Sequence, residues 1–293
     1  VQFNVSAYAS GDNISCFGSN DGWIEAEVPG NVVNCSFNWS TTNGQGLVNS
    51  IQNQNNLTAG TYFLTATDLN GCSIQDSIVL NEPDELTLDL TILSNYYGQP
   101  VSCEGSEDGV IQVTASGGTP GYSFTWNNTQ STTQDVFSTA KNGENTVVLQ
   151  DLNGCEITSS ILLTANPTPQ LNPSPRIDAC IGENVTINSN SLENEYCVWQ
   201  LSNGMTIFND QSTVINLPNV GCVDASFVVT NEFGCTDSVF YENYICMHSI
   251  PVASFITDYP EITENENDVN FINNSDGATE FEWFYGDGAS STE

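Results

Sequence analysis

The sequence predicts an all-β chain of tandem immunoglobulin-like β-sandwich modules in an elongated rod. Three observations predict it. A block of about 85 residues recurs along the 293-residue chain. Each copy is built from short β-branched and aromatic runs punctuated by Gly, Asn and Pro. No stretch sustains a 3.6-residue apolar period between helix caps.

The repeat is read directly. Ser15-Cys16-Phe17-Gly18-Ser19-Asn20-Asp21-Gly22 returns as Ser102-Cys103-Glu104-Gly105-Ser106-Glu107-Asp108-Gly109, offset by 87. Asp68-Leu69-Asn70-Gly71-Cys72 returns as Asp151-Leu152-Asn153-Gly154-Cys155, offset by 83. Ser36-Phe37-Asn38-Trp39 matches Ser123-Phe124-Thr125-Trp126, and a looser third copy carries Cys180, Trp199 and Gly234-Cys235. Trp23–Val28, Val110–Thr114, Thr61–Thr67 and Thr146–Leu149 read as strands. Asn70-Gly71 and Asn153-Gly154 read as two-residue type I′ hairpins, in which both central residues need positive φ. Short strands in units of this length fit seven-stranded sandwiches.

Prolines mark the boundaries, because X-Pro pairs favour extended backbone. Pro83 closes the first copy, Pro167 the second, and Pro251 opens a fourth unit. The expected modules are residues 1–83, 84–167, 168–249 and 250–293. The last offers about three strands, so it is expected to be incomplete, with open sheet edges that invite pairing. Four units that each close their own core should exceed the radius of gyration of roughly 19 Å expected of one compact chain of this length.

Charge excludes several function classes. The chain holds 36 Asp+Glu against 2 Lys+Arg, a formal net charge of -34. Lys141 and Arg176 cannot neutralise a run of phosphates, so no nucleic-acid partner is expected, and an anionic membrane surface is excluded with it. His248, the only histidine, falls in an apparent linker, which leaves no catalytic triad. There is no CxxC, no second histidine for zinc and no apolar run of membrane-spanning length. No catalytic residue is assigned and an enzyme is not expected. The charge itself fits a stiff, soluble, salt-tolerant stalk. The chain shows no signal peptide and no sorting domain, and is expected to be a segment of a longer exported polypeptide.

Ten cysteines at repeated spacings point to an oxidising compartment. The pairs expected are Cys16–Cys72, Cys103–Cys155 and Cys180–Cys235, so that each module closes independently, with Cys197–Cys222 as a fourth. One geometric alternative stays open. In an immunoglobulin topology the loop after the first strand and the last hairpin lie at opposite ends. The cysteines then staple neighbouring modules, as Cys16 to Cys155 and Cys103 to Cys235. Cys35 and Cys246 have no assigned partner.

Asp21-Gly22, Asp108-Gly109 and Asp287-Gly288 are candidate Ca²⁺ ligands, but read first as turns with Gly at positive φ. Asp258, Glu261, Glu264, Glu266 and Asp268 form an acidic run that reads as a solvated loop. Trp39, Trp126 and Trp199 recur at one repeat position and read as core, whereas Trp23 and Trp283 are candidate sugar platforms.

Copies one and two resemble SprB-type repeats of large Bacteroidota surface adhesins. The resemblance rests on the Cys-x-Gly-x-x-Asp-Gly start, the Ser-Phe-x-Trp centre, Leu57-Thr58-Ala59-Gly60-Thr61-Tyr62, Gly117–Phe124 and the Asp-Leu-Asn-Gly-Cys finish. Copy one departs at Asn31–Cys35, and copy two at Asn145, where the family has the tyrosine seen at Tyr62. Copy three resembles the immunoglobulin-like modules of the same proteins. The fourth unit resembles the first half of a polycystic-kidney-disease-type (PKD) domain, through Trp283-Phe284-Tyr285-Gly286-Asp287-Gly288. The resemblance implies type IX secretion, outer-membrane attachment, an extracellular location and roles in adhesion or gliding. Its partners would be the secretion machinery, attachment proteins and surface glycans. Asp76-Ser77-Ile78 and Asp237-Ser238-Val239 resemble O-glycosylation acceptors of such exported proteins.

The expected function is therefore a structural and adhesive segment of a surface stalk or filament. The second reading is a set of carbohydrate- or calcium-binding accessory modules of a secreted enzyme. A third is self-assembly through the incomplete last domain.

Overall fold

The computed structural model describes all residues except 30–33, 193, 209–211, 259–268 and 293. The described residues form strands, turns and loops, with no helix. Val1–Pro167 forms one compact unit and Thr168–Glu293 a second.

The first unit contains two sandwiches with separate cores. One uses β1 (Gln2–Val5), β2 (Gly22–Glu27), β3 (Ser36–Thr41), β4 (Gln54–Leu57), β5 (Gly60–Thr67) and β6 (Ser73–Leu80). They pair as β1-β2-β4 and β3-β5-β6. Alternation decides the inner face. Tyr62, Leu64 and Ala66 of β5 point inward with Ile24 and Ala26 of β2, and Trp39 completes the core.

The second sandwich uses β7 (Thr87–Ile92), β8 (Gly109–Ser116), β9 (Ser123–Trp126), β10 (Gln130–Thr132), β11 (Val136–Ala140), β12 (Gly143–Gln150) and β13 (Glu156–Leu163). Its sheets are β11-β8-β7 and β10-β9-β12-β13. Ile111, Val113, Phe124, Val147 and Leu149 enclose Trp126, which stacks on Phe137 with ring centroids 4.5 Å apart.

The second unit holds a third sandwich. Its strands are β14 (Ile177–Cys180), β15 (Asn184–Asn188), β16 (Tyr196–Leu201), β17 (Thr206–Phe208), β18 (Ser212–Asn216), β19 (Gly221–Thr230) and β20 (Thr236–His248). The five-stranded sheet runs β14-β20-β19-β16-β17, with β14 parallel to β20, and faces the pair β15-β18. Trp199 lies in this core against Phe227 and Tyr244.

Residues beyond it form two short ladders. β21 (Phe255–Thr257) pairs with β22 (Phe271–Asn273), and β23 (Trp283–Phe284) with β24 (Ser290–Ser291). No described residue from Pro251 onward is fully buried; Phe255, Phe271 and Trp283 make an aromatic cluster without a closed core.

Two sequence expectations need correction. The Asn-Gly hairpins are not two-residue type I′ turns. Asp68 and Asp151 donate their amides to the Cys72 and Cys155 carbonyls and accept from the Gly71 and Gly154 amides, and only Gly71 (φ 83) and Gly154 (φ 89) adopt positive φ. These are three-residue loops that close with glycine in the left-handed region. The glycines of Asp21-Gly22 and Asp108-Gly109 have no positive φ either. They are needed for close approach: a Cβ on Gly22 would lie 2.5 Å from Ile14 Cδ1, and one on Gly109 2.9 Å from the Ala140 carbonyl oxygen.

Candidate inter-module interface

The first loop of each of the first two sandwiches is held by the same three hydrogen bonds. Asp21 Oδ1 accepts from the Ser15 amide at 3.1 Å, and Asp108 Oδ1 from the Ser102 amide at 3.0 Å. Tyr8 and Tyr96 donate their hydroxyls to the Asp21 and Asp108 carbonyls. Trp23 and Val110 donate their amides to Ser6 and Ser94 Oγ. Partial burial pushes the Asp21 carboxyl up, but hydrogen bonds from Ser15 and Tyr8 outweigh it and hold the pKa below the usual range. These aspartates are structural anchors of the loop.

The loop docks at the far end of the last strand. Asn13 and Ile14 donate their amides to the Asn81 carbonyl, and Gly18 to Glu82 Oε2. In the second sandwich Glu104 donates its amide to the Asn166 carbonyl, and Asn166 Nδ2 donates to the Ser102 carbonyl.

The last hairpins carry an aspartate clasp. Asp68 Oδ1 accepts from the amides of Asn70 (2.9 Å) and Cys72 (2.8 Å); Asp151 Oδ1 accepts from those of Asn153 and Cys155, both at 2.9 Å. The amide of Cys72, with help from Asn70, holds the Asp68 carboxyl below its ordinary pKa.

Within one sandwich these two features stand at opposite ends. The eight residues of β6 span about 26 Å at 3.3 Å per residue. Disulfide formation needs Cα atoms within roughly 7 Å. The expected pairs Cys16–Cys72 and Cys103–Cys155 are therefore not formed. Instead Cys16 bonds Cys155 of the next sandwich, with S–S 2.03 Å and Cα–Cα 5.7 Å.

The contact around this bond is built. Asn153 Nδ2 donates to the Ser15 carbonyl at 3.0 Å and to Thr119 Oγ1 at 2.8 Å. The Ala9 amide donates to Asn153 Oδ1 at 3.3 Å. Cys16 packs on the second core, and a shallow crevice beside the bond is lined by Phe17, Leu86, Gly118 and Ile157. Asn153 was visible in the sequence as half of the turn motif, but its role in joining two copies was not.

The other cysteine expectations change too. Cys103 and Cys235 are both disulfide-bonded. Cys72 is a free, exposed thiol, and Cys180 is free as well, so Cys180–Cys235 is not formed. Cys197–Cys222 is replaced by Cys222–Cys246, residues directly opposed on β19 and β20. Cys197 pairs in register with Val229, seven residues along β19 from Cys222, about 23 Å away. It stays buried and reduced, donating to Ser191 Oγ, and Cys35 is free.

The remaining candidates fall as follows. Asp287 Oδ1 accepts from the Ala289 amide in a turn where Gly288 has φ 92. No group of three or more His, Cys, Asp or Glu with metal-holding geometry occurs among the described residues. Asp258 clamps Asn270 through the Asn270 amide and side chain; Glu261, Glu264, Glu266 and Asp268 lie outside the described residues. Trp39, Trp126 and Trp199 are core, as their repeat position implies. Trp23 is half-buried on β2, and Trp283 packs against Phe255 and Phe271. His248 is the last residue of β20, not a linker residue, and shares Asp178 with Arg176. Ser77, mid-way along β6, and Ser238, the third residue of β20, are exposed, each donating its amide to the preceding aspartate.

A family model of the SprB repeat matches residues 99–131, from the first loop of the second sandwich to its fourth strand. No curated protein matches. Among solved structures, the N-terminal eight immunoglobulin domains of Down Syndrome Cell Adhesion Molecule are similar at 12% identity and TM-score 0.26, over 82% of this chain and 40% of that one. The C-terminal 282-residue fragment of intimin, solved with the intimin-binding domain of its translocated receptor, is similar at 15% identity and TM-score 0.32, over 61% of this chain and 68% of that one. The fibronectin(III)-like modules of Clostridium thermocellum CbhA reach 19% identity and TM-score 0.23, over 55% of this chain and 95% of theirs.

Proposed function

We propose that this chain is a structural and adhesive segment of an exported cell-surface protein, a run of tandem sandwiches that spaces a distal adhesive end from the cell. The observation that carries the reading is the Cys16–Cys155 bond, which ties the first loop of one sandwich to the last hairpin of the next. A catalytic module has no need of such a tie, whereas a load-bearing spacer does. The oxidised cysteines fit an exported location, and the SprB match over residues 99–131 fits a surface repeat. Type IX secretion, outer-membrane attachment and gliding extend the reading, with the secretion machinery and attachment proteins as partners.

Small-angle scattering on the oxidised chain tests the spacer. A radius of gyration well above roughly 19 Å is expected, and a compact value sinks it. Glycan arrays and calorimetry with Ca²⁺ test the accessory-module reading; tight binding of either would replace the spacer reading with a ligand-binding one. On an exported chain Ser77 and Ser238 are the O-glycan acceptors, since both are exposed on a terminal strand. Intact mass of native material should show added hexoses, and an unmodified mass removes the assignment.

A further inference from the structure

We propose that Cys72 is the acceptor for a second inter-module disulfide, donated by the first-loop cysteine of a preceding SprB-like module. The inference rests on the tandem-module reading above.

The repeat supplies the argument. Cys155, the counterpart of Cys72, is bonded to Cys16 in the first loop of the preceding sandwich. The two hairpins are the same object: Asp-Leu-Asn-Gly-Cys, one aspartate accepting two amides, glycine at positive φ. They differ in what covers them. Asn153 reaches out to Ser15 and Ala9, whereas Asn70 bonds only Asp68 among the described residues. Cys72 is exposed, whereas its counterpart Cys155 is buried. The first hairpin thus presents, uncovered, the surface that the second uses to receive a neighbour.

Partners within the same sandwich are ruled out by geometry. Cys16 is held at the opposite end and already bonded. Cys35 is at the right end, but Ser36 and Ser73 flank Thr67 on either side, so β5 separates the two cysteines by two strand spacings, about 9.6 Å. That exceeds the Cα separation a disulfide tolerates.

The chemistry is thiol–disulfide exchange. The Cys72 thiolate attacks the disulfide of a dithiol–disulfide oxidant, forming a mixed disulfide and releasing one oxidant thiol. The first-loop thiolate of the neighbour then attacks the Cys72 sulfur and expels the second. Two protein thiols are oxidised and one oxidant disulfide is reduced, with two protons conserved as thiol hydrogens.

The test extends the full chain at its N-terminus with a duplicate of residues 1–87, whose own linker then runs into Val1. The duplicate carries Phe17→Tyr as a mass tag and Cys72→Ser to remove its own hairpin thiol. Both chains are oxidised with glutathione disulfide, alkylated and mapped without reduction. In the parent chain Cys72 should be recovered alkylated or as its glutathione mixed disulfide, with no protein partner. In the extended chain both forms should be lost, and a peptide joining the tagged Cys16 to Cys72 should appear beside Cys16–Cys155. Cys72 that is still alkylated or glutathione-capped behind a protease-resistant added module, or a Cys35–Cys72 peptide, overturns the proposal. Should the duplicate fail to fold, an extension of residues 84–163 followed by 81–87 presents Cys103 to Cys72 and is read in the same way. Neither negative result alters the scattering profile of the parent chain, so failure here is separable from failure of the spacer reading.

Discussion

The first sandwich places Tyr62 at the third residue of β5, and the second places Asn145 at the third residue of β12. One is a large aromatic and the other a small amide, yet they perform the same bond. Tyr62 Oη donates to the Thr58 carbonyl at 2.7 Å, and Asn145 Nδ2 to the Lys141 carbonyl at 2.8 Å, each four residues upstream. Both side chains are buried. The requirement at this corner is a carbonyl for the buried side-chain donor, since a buried unpaired polar group costs about 1–3 kcal/mol. The volume is negotiable because each sandwich has adapted its surroundings. Gly44 makes room for the tyrosine ring, and a Cβ there would lie 2.4 Å from Tyr62 Cζ. Asn145 instead bonds Gly143 and Asn127 in a smaller, polar niche.

The largest expected effect breaks the partnership between the two sandwiches. Cys155→Ser removes a bond spanning 139 residues, for which the chain-entropy relation gives about 5 kcal/mol as an upper value. Folded intervening sequence shortens the effective loop, so the loss will fall below that. Denaturant unfolding of residues 1–293 should show the first two sandwiches melting together when oxidised and separately in the variant. A single unchanged transition would mean the bond does not couple them.

Exchanging the corner residues sharpens the comparison. Tyr62→Asn leaves a ring-sized cavity and should cost about 3–5 kcal/mol. Asn145→Tyr overfills its niche and should cost about 1–3 kcal/mol. Equal losses in thermal melts would show that the niches are not differently adapted.

The smallest effect is on acid stability. The folded pKa of Asp21 is depressed, so its contribution is present above the unfolded value of about 3.9 and is lost as pH falls through the lower folded value. Asp21→Asn should lower stability near neutral pH and flatten its decline below about pH 4. A decline as steep as in the parent would assign it to other carboxylates.

Much of this fold was legible in the sequence. The runs Trp23–Val28 and Thr61–Thr67 read as strands and are strands, and the recurrent tryptophans marked the three cores. What the sequence left open was what depends on three-dimensional ends. Cys16 and Cys72 bracket one repeat in sequence, but strand length holds them apart, and the pairing went to the neighbour, as in the alternative drawn from immunoglobulin topology. Cys222 and Cys246 looked unrelated because their opposition depends on register across β19 and β20. The hairpin type was missed because Asn-Gly alone does not reveal that Asp68 and Cys72 close the loop around it.

The bond between Cys16 and Cys155 also reroutes tension. A pull applied between Val1 and Pro167 runs covalently from Cys16 straight to Cys155, and the 138 residues from Phe17 to Gly154 lie off that path. Unfolded and reduced, Val1–Pro167 would pay out to nearly 600 Å at about 3.5 Å per residue; oxidised, the 29 residues left in series reach only about 100 Å. The oxidised pair behaves as a tether of fixed reach whose modules can be sheared open without lengthening the line, so oxidation state sets its extensibility.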